Sequence, residues 1–232
     1  MRTLTCVSAL VAAAILCLAS DPVRAKAAPS PITQRFLERI DTPPVSYRAV
    51  RRLEARTERQ RISGWLEAVT ELDSVAGFQY QVTSAGGSEY IRKHVLMKVL
   101  AAEQAAHRGP DRSRAALTVE NYTFGEAIEG ADGFLLVPIT PKRRAEMLVN
   151  GVITLGPDAD LIRVEGRLSK NPSVWTRRVE VVRRYGRANG VRVPIAMSSK
   201  AHVLFVGPST FTMCIDYESV NGEPVDVRTS CS

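Results

Sequence analysis

Three histidines, His94, His107 and His202, are the strongest catalytic candidates by residue type, and none has a partner at a useful spacing. A hydrolytic zinc site needs two histidines one helical turn apart with a glutamate between them, or closely paired cysteines, and the chain has neither. It also lacks a Gly-x-Ser-x-Gly elbow, a phosphate-cradling P-loop and a dinucleotide fingerprint. Gly207-Pro208-Ser209-Thr210 holds a hydroxyl, but it lies between two strand-like segments, where Gly-Pro-Ser is ordinary turn chemistry. The residues therefore imply no catalytic group, no metal and no cofactor. What remains is binding chemistry. Arg51 stands among Tyr47, Leu53 and Ala55 on the drier face of a strand-like segment, and the odd positions after Val174 read Trp175, Arg177, Val179, Val181, Arg183 and Tyr185. With Val193, Ile195, Met213 and Ile215, the residues Arg51, Trp175 and Arg177 make a candidate apolar binding surface with a cationic mouth. The other reading of Arg51 and Arg177 is that strand ends overhang the core and the arginines reach back to water. For Arg183, close to a strand end, that reading is the better one.

The elements that must position these residues are strands. Phe211, Met213, Ile215 and Tyr217 alternate with Thr212, Cys214, Asp216 and Glu218, a period of two that marks one buried and one wet face. Val191, Val193, Ile195 and Met197 do the same against Arg192, Pro194 and Ala196, and Ile162, Val164 and Leu168 against Arg163, Glu165 and Arg167. Asn150-Gly151, between two apolar runs, reads as a type I′ hairpin turn because both positions tolerate positive φ. The stretch from Met147 to Asn221 is thus an antiparallel meander.

Ahead of it, Ser30-Pro31 opens a short helix with Ile32, Phe36 and Ile40 on one stripe. Strands near 47–56, 62–72 and 78–83 follow. Ser88 caps the one long helix, whose apolar face holds Ile91, Val95, Leu96, Val99 and Leu100, with Glu89 and Lys93 as an i,i+4 pair and Gly109-Pro110 as the stop. Ile91, Val95 and Val99 are expected to cover the sheet. Two more strands lie near 119–128 and 133–140. The expected fold is mainly β: a strongly curved antiparallel sheet, or incomplete β-barrel, of about eleven strands with helices covering the open side.

The chain has 232 residues and a formal net charge of +7. Residues 1–25 read as a secretory signal peptide, with Arg2 ahead of an apolar run and Val23-Arg24-Ala25 as a cleavage site. Cleavage leaves residues 26–232 as one domain with a short disordered C-terminal tail, places the chain in the periplasm or outside the cell, and lowers the charge from +7 to +6 by removing Arg2, Arg24 and Asp21. The paired arginines suit either the wet face of strands or an anionic membrane surface or ligand, and no basic block interleaved with aromatics points to nucleic acid. Only Cys214 and Cys231 survive cleavage. In an oxidising compartment they either pair, with Cys214 on the wet face within reach of the tail, or stay independent thiols.

An export signal, an early helix, about eleven antiparallel strands and a mid-chain helix together resemble the periplasmic outer-membrane lipoprotein-sorting family, the LolA/LolB-like fold. Arg163-Val-Glu-Gly-Arg-Leu, Pro172-Ser-Val-Trp, Gly190-Val-Arg-Val-Pro and Tyr217-Glu-Ser-Val-Asn-Gly are phrased like that group. The resemblance implies a monomeric carrier that holds a lipid or lipoprotein acyl chain in an apolar concavity under a helical lid. It also implies an inward arginine on an early strand, for which Arg51 is the candidate by location. Leu16 before Cys17 makes no lipidation signal, which suits a soluble carrier or a regulatory relative. A structural or regulatory envelope protein that uses the same fold for protein contacts is the alternative.

Overall fold

The computed structural model describes residues 29–39, 41–108, 116–174 and 176–227. The expected signal peptide, the C-terminal tail, Ile40, Gly109-Pro110, Trp175 and Cys231 lie outside the described residues.

Alternating burial along the chain resolves into twelve strands of one antiparallel sheet that does not close into a barrel. β1 (Tyr47–Thr57), β2 (Ile62–Asp73) and β3 (Gly77–Gly87) form one side. β4 (Tyr122–Phe124), β5 (Ile128–Glu129), β6 (Leu135–Pro141), β7 (Val149–Leu155) and β8 (Leu161–Leu168) lead into the long strands β9 (Thr176–Ala188), β10 (Val191–Val203) and β11 (Gly207–Val220), followed by β12 (Glu223–Val227). The order across the sheet is β3-β2-β1-β11-β10-β9-β8-β7-β6-β4, so β11 closes the gap between the two halves by pairing with β1. β3 and β4 are the ends of that order.

One face carries the apolar residues. A row of direct partners runs Leu66, Leu53, Met213, Met197, Arg183, Val164, Ile153, Val137 from β2 to β6. Two helices cover that face. α1 (Pro31–Glu38) buries Ile32 and Phe36 over a core from β4 and β6–β9. The second helix runs through α2 (Glu89–Ile91), a π-turn (Arg92–Leu96) and α3 (Met97–Arg108), and packs on β1, β2 and β3. It seals a core that includes Leu53, Leu66, Phe78 and Ile215.

Two sequence expectations fail here for physical reasons. Asn150-Gly151 is no hairpin turn. It lies inside β7, where Gly151 faces Gly166 of β8. The two backbones approach so closely that a side chain on Gly151 would meet the Gly166 Cα at 2.6 Å. Nor does Val95 cover the sheet, since it is exposed, whereas Ile91 is buried and Val99 partly so. The π-turn, in which the Met97 N–H donates to the Arg92 carbonyl, adds a residue to one turn. The buried positions then follow at Ile91, Leu96 and Leu100, and Val95 rotates outward. Lys93 is solvent-facing and pairs with Glu89 at 2.6 Å.

β10 pairs with β11 only from Ala196↔Cys214 to Val203↔Gly207, and lower down β11 pairs with β12 instead. A bulge between Pro194 and Ala196 inverts the alternation there. Ala188, Val191 and Val193 at the tip of the β9–β10 hairpin consequently join the first core. On the other side of the tip, Arg187 and Arg192 hold the loop before β1. Arg187 binds Asp160 through Nε and Nη2 at 2.6 and 2.8 Å and reaches Asp41 at 3.0 Å, while Arg192 meets Asp41 at 2.8 Å and stacks over Phe36.

Burial pushes the Asp160 carboxyl up, but Arg187 outweighs this and holds it below the ordinary range. A depressed folded pKa gives stability that is present above the unfolded value and lost as pH falls through the folded one. From about pH 4 downward the wild type should therefore lose about 1 kcal/mol that Asp160→Asn lacks at every pH. Thermal unfolding between pH 6 and pH 3 checks this: the gap between the two proteins should narrow with acid, and a constant gap refutes it.

Candidate functional site: a buried arginine under a helical cover

The alternation of β1 places Arg51 inward between Ala49 and Leu53, and it is 2% exposed. Its cross-strand neighbours are Ala68 and Ile215, and the small alanine leaves room for a guanidinium lying flat in an apolar layer. The group sits over the Phe78 ring at 5.1 Å and near Tyr47 at 6.0 Å. Nη2 donates to the Tyr47 hydroxyl at 2.8 Å, and Tyr47 in turn meets Tyr217 edge-on. Met213 Sδ accepts from Nη1 at 4.0 Å.

The counter-charge comes from the cover. Glu103 of α3 takes both terminal nitrogens, at 2.5 and 2.9 Å. Burial disfavours the Arg51 charge, but Glu103 outweighs it and the guanidinium is held well above its ordinary pKa. Burial likewise pushes the Tyr217 hydroxyl above its usual range. Nε of Arg51 is buried without a hydrogen-bond partner. The next residues of α3 add polar ties, with Gln104 donating to the Phe78 carbonyl at 3.1 Å and the His107 ring stacked on Phe78 at 5.3 Å.

Of the residues singled out by sequence, Arg51, Val193, Ile195, Met213 and Ile215 share this first core. Val193 and Ile215 are fully buried, Met213 is 8% exposed and Ile195 is partly buried. Arg177 does not join them. It is exposed at the start of β9 opposite His202, the position of an arginine that reaches water. Trp175 lies outside the described residues. Sequence reasoning placed Tyr47 on the face of Arg51 without reading it as a partner, and missed Glu103 and Gln104. The signal for Glu103 was its spacing, seven residues after Leu96 and three after Leu100, on the stripe that faces the inward arginine.

The opposite face is built differently. Arg48 ties Glu218 to Glu71 across three strands, and Arg52 stacks over Trp65 at 5.6 Å. Cys214 is on this face but is not wet: it is buried and disulfide-bonded. It stands at a hollow of about 250 Å³ that Arg163, Arg184 and Thr212 also line. A second hollow, about 200 Å³, lies between Arg178, Lys200 and Thr210 at strand ends.

Under α3 the Arg51 guanidinium holds an anionic group, the Glu103 carboxylate, in an apolar setting. No family model and no curated protein matches the sequence. Among solved structures, the chain is similar to a domain named for outer membrane lipoprotein sorting from Vibrio parahaemolyticus, with 9% identity, 81% of this chain and 91% of that chain covered, and a TM-score of 0.38. It is also similar to lipovitellin, in a structure titled for its lipid–protein interactions, with 9% identity, 82% of this chain and 27% of that chain covered, and a TM-score of 0.29. Both are loose likenesses of layout.

Proposed function

We propose that the protein is an exported, non-catalytic carrier of the bacterial envelope that holds the acyl chain of a lipid or lipoprotein against the first core, beneath the α2–α3 cover. The observation that carries this reading is Arg51, a buried cation with one unmet N–H whose counter-ion comes from the covering helix rather than from the sheet. When α3 lifts, Glu103 leaves, and the guanidinium is open to a carboxylate or ester at the head of an amphiphile. The uncovered face then takes the chain, each methylene contributing about 0.8 kcal/mol. A second reading, a structural or regulatory envelope protein that uses its outer surface, is favoured by one observation: Leu53, Leu66, Val193 and Ile215 fill the face completely when the cover is closed.

A fluorescent fatty acid separates the two. The delipidated wild type should bind it and release it to phospholipid. Met213→Asp places a carboxylate beside Arg51, where it competes with ligand, so probe affinity should fall more than tenfold with the fold retained. Thr212→Asp, on the opposite face of the same strand, should bind as the wild type does. A wild type that binds no probe rejects the carrier and leaves the second reading.

A further inference from the structure

Antiparallel strands place alternate turns along opposite edges of the sheet, and the two edges differ in character. Along one edge lie, in order, the β1–β2 turn (58–61), the β10–β11 turn (204–206), the β8–β9 turn (169–174) and the β6–β7 turn (142–148). Each step spans two strands, so the row is about 30 Å long. Each turn but the first lifts an apolar side chain into solvent: Phe205 is 75% exposed, Val174 87%, and Met147 is exposed as well. Cations surround them, with Arg59 and Arg61 in the first turn and, in the last, Lys142, Arg143 and Arg144, which are exposed while also donating to the Val119 carbonyl, the Asn121 side chain and the Ser169 carbonyl. Arg178 is exposed at the start of β9. Glu58 and Glu146 are the only acidic residues in these four turns.

The opposite edge is acidic. It holds Asp73, Asp158, Asp160 and Asp41, and its Arg39, Arg187 and Arg192 are engaged with Asp41 or Asp160.

Left-handed backbone occurs on both edges, and on the basic edge it falls on two cations and an aromatic. Among the described residues, six other than glycine have left-handed φ. Three of them, Arg61 (50°), Arg178 (47°) and Phe205 (66°), belong to the basic edge, while Ala159, Asn189 and Asn221 belong to the acidic one. Asparagine tolerates that conformation, whereas Ala159 on the acidic edge and the arginines and phenylalanine on the basic one occupy it at a cost that glycine would avoid. The sequence keeps two cations and an exposed aromatic of this edge where the backbone disfavours any side chain, a strain that a binding role would account for.

We propose that this edge seats on an anionic lipid surface, with Phe205, Val174 and Met147 entering the headgroup layer and the arginines and lysines facing lipid phosphates. Separate apolar points ringed by cations fit a deformable, negatively charged interface better than a preformed protein groove. Among the described residues no helix is long and apolar enough to cross a membrane. The inference is independent of acyl-chain binding.

Flotation with vesicles of phosphatidylcholine, with and without phosphatidylglycerol, tests it. The wild type should float with the anionic vesicles only, and should be released by salt. Arg61→Gly with Arg178→Gly should leave thermal stability unchanged or raised, because glycine relieves the left-handed backbone, yet weaken binding about 25-fold, or about fivefold per cation. Phe205→Gly, its fold checked by circular dichroism, should also weaken binding, and Val75→Gly, at a residue 94% exposed on the acidic edge, should not. Equal flotation with neutral vesicles, no flotation, or equal losses for Val75→Gly and Phe205→Gly would each overturn the proposal.

Discussion

Glu103→Ala is expected to destabilise the protein by about 3–5 kcal/mol, because it strips a buried guanidinium of its counter-ion. For a chain of this size that is a fall of roughly 10 °C in the midpoint of thermal unfolding. The reference is the double variant Arg51→Met with Glu103→Leu, which replaces the pair by apolar groups of similar volume. A buried ion pair contributes little net stability over such a replacement, so the double variant should unfold within about 1 kcal/mol of the wild type. The strongly non-additive cycle would show that Arg51 and Glu103 act as one unit. Function should part from stability here. The double variant keeps the fold but has lost both the head-group cation and the polar tie of the cover, so it should bind the fatty-acid probe poorly. A Glu103→Ala protein as stable as the wild type would mean that Arg51 reaches water, which its burial contradicts.

The second large effect is expected at Gly151→Ala. A methyl group there meets backbone of Glu165 and Gly166, which no rotamer change can clear, so β7 and β8 must separate in the middle of the sheet. The cost should be about 3 kcal/mol or more. Gly156→Ala, a short way along the chain, meets nothing closer than 3.8 Å and should change stability by less than about 0.5 kcal/mol. Denaturant midpoints of the two variants measure the contrast, and equal midpoints would show that the strands can part freely.

The glycine pair also shows where sequence reading stops. Alternation at Phe211–Tyr217 and at Tyr47–Ala55 was visible because each strand carries its own burial pattern. The role of Gly151 is set by Gly166, fifteen residues away, and nothing local distinguishes a close strand pair from an Asn-Gly turn. The same limit applies to the bulge after Pro194 and to the π-turn, since a single inserted residue moves every following side chain to another direction. For the site, Arg51 was legible as a charge at an inward position. Its partner was visible in spacing but not in type: Glu103 follows Val99 by four residues and Leu100 by three, on the stripe, and an acid does not register in a search for apolar periodicity. Arg177 was placed with the site on parity alone, and parity does not say how far along a strand the core extends.

An open sheet has ends, and the end formed by β3 bears on how the protein survives its own folding. Gly77–Gly87 is eleven residues long and holds no charge and no proline, the usual guards of such a border. Gln104 occupies the Phe78 carbonyl, and among the described residues no strand lies against the outer side. About 36 Å of backbone donors and acceptors is thus on offer from the moment β2 and β3 meet. The join between β1 and β11, some 160 positions apart in the chain, must come late because so long a loop is slow to close. In that interval first-order closure competes with second-order pairing between chains, and the recovery of native protein on refolding should fall as concentration rises.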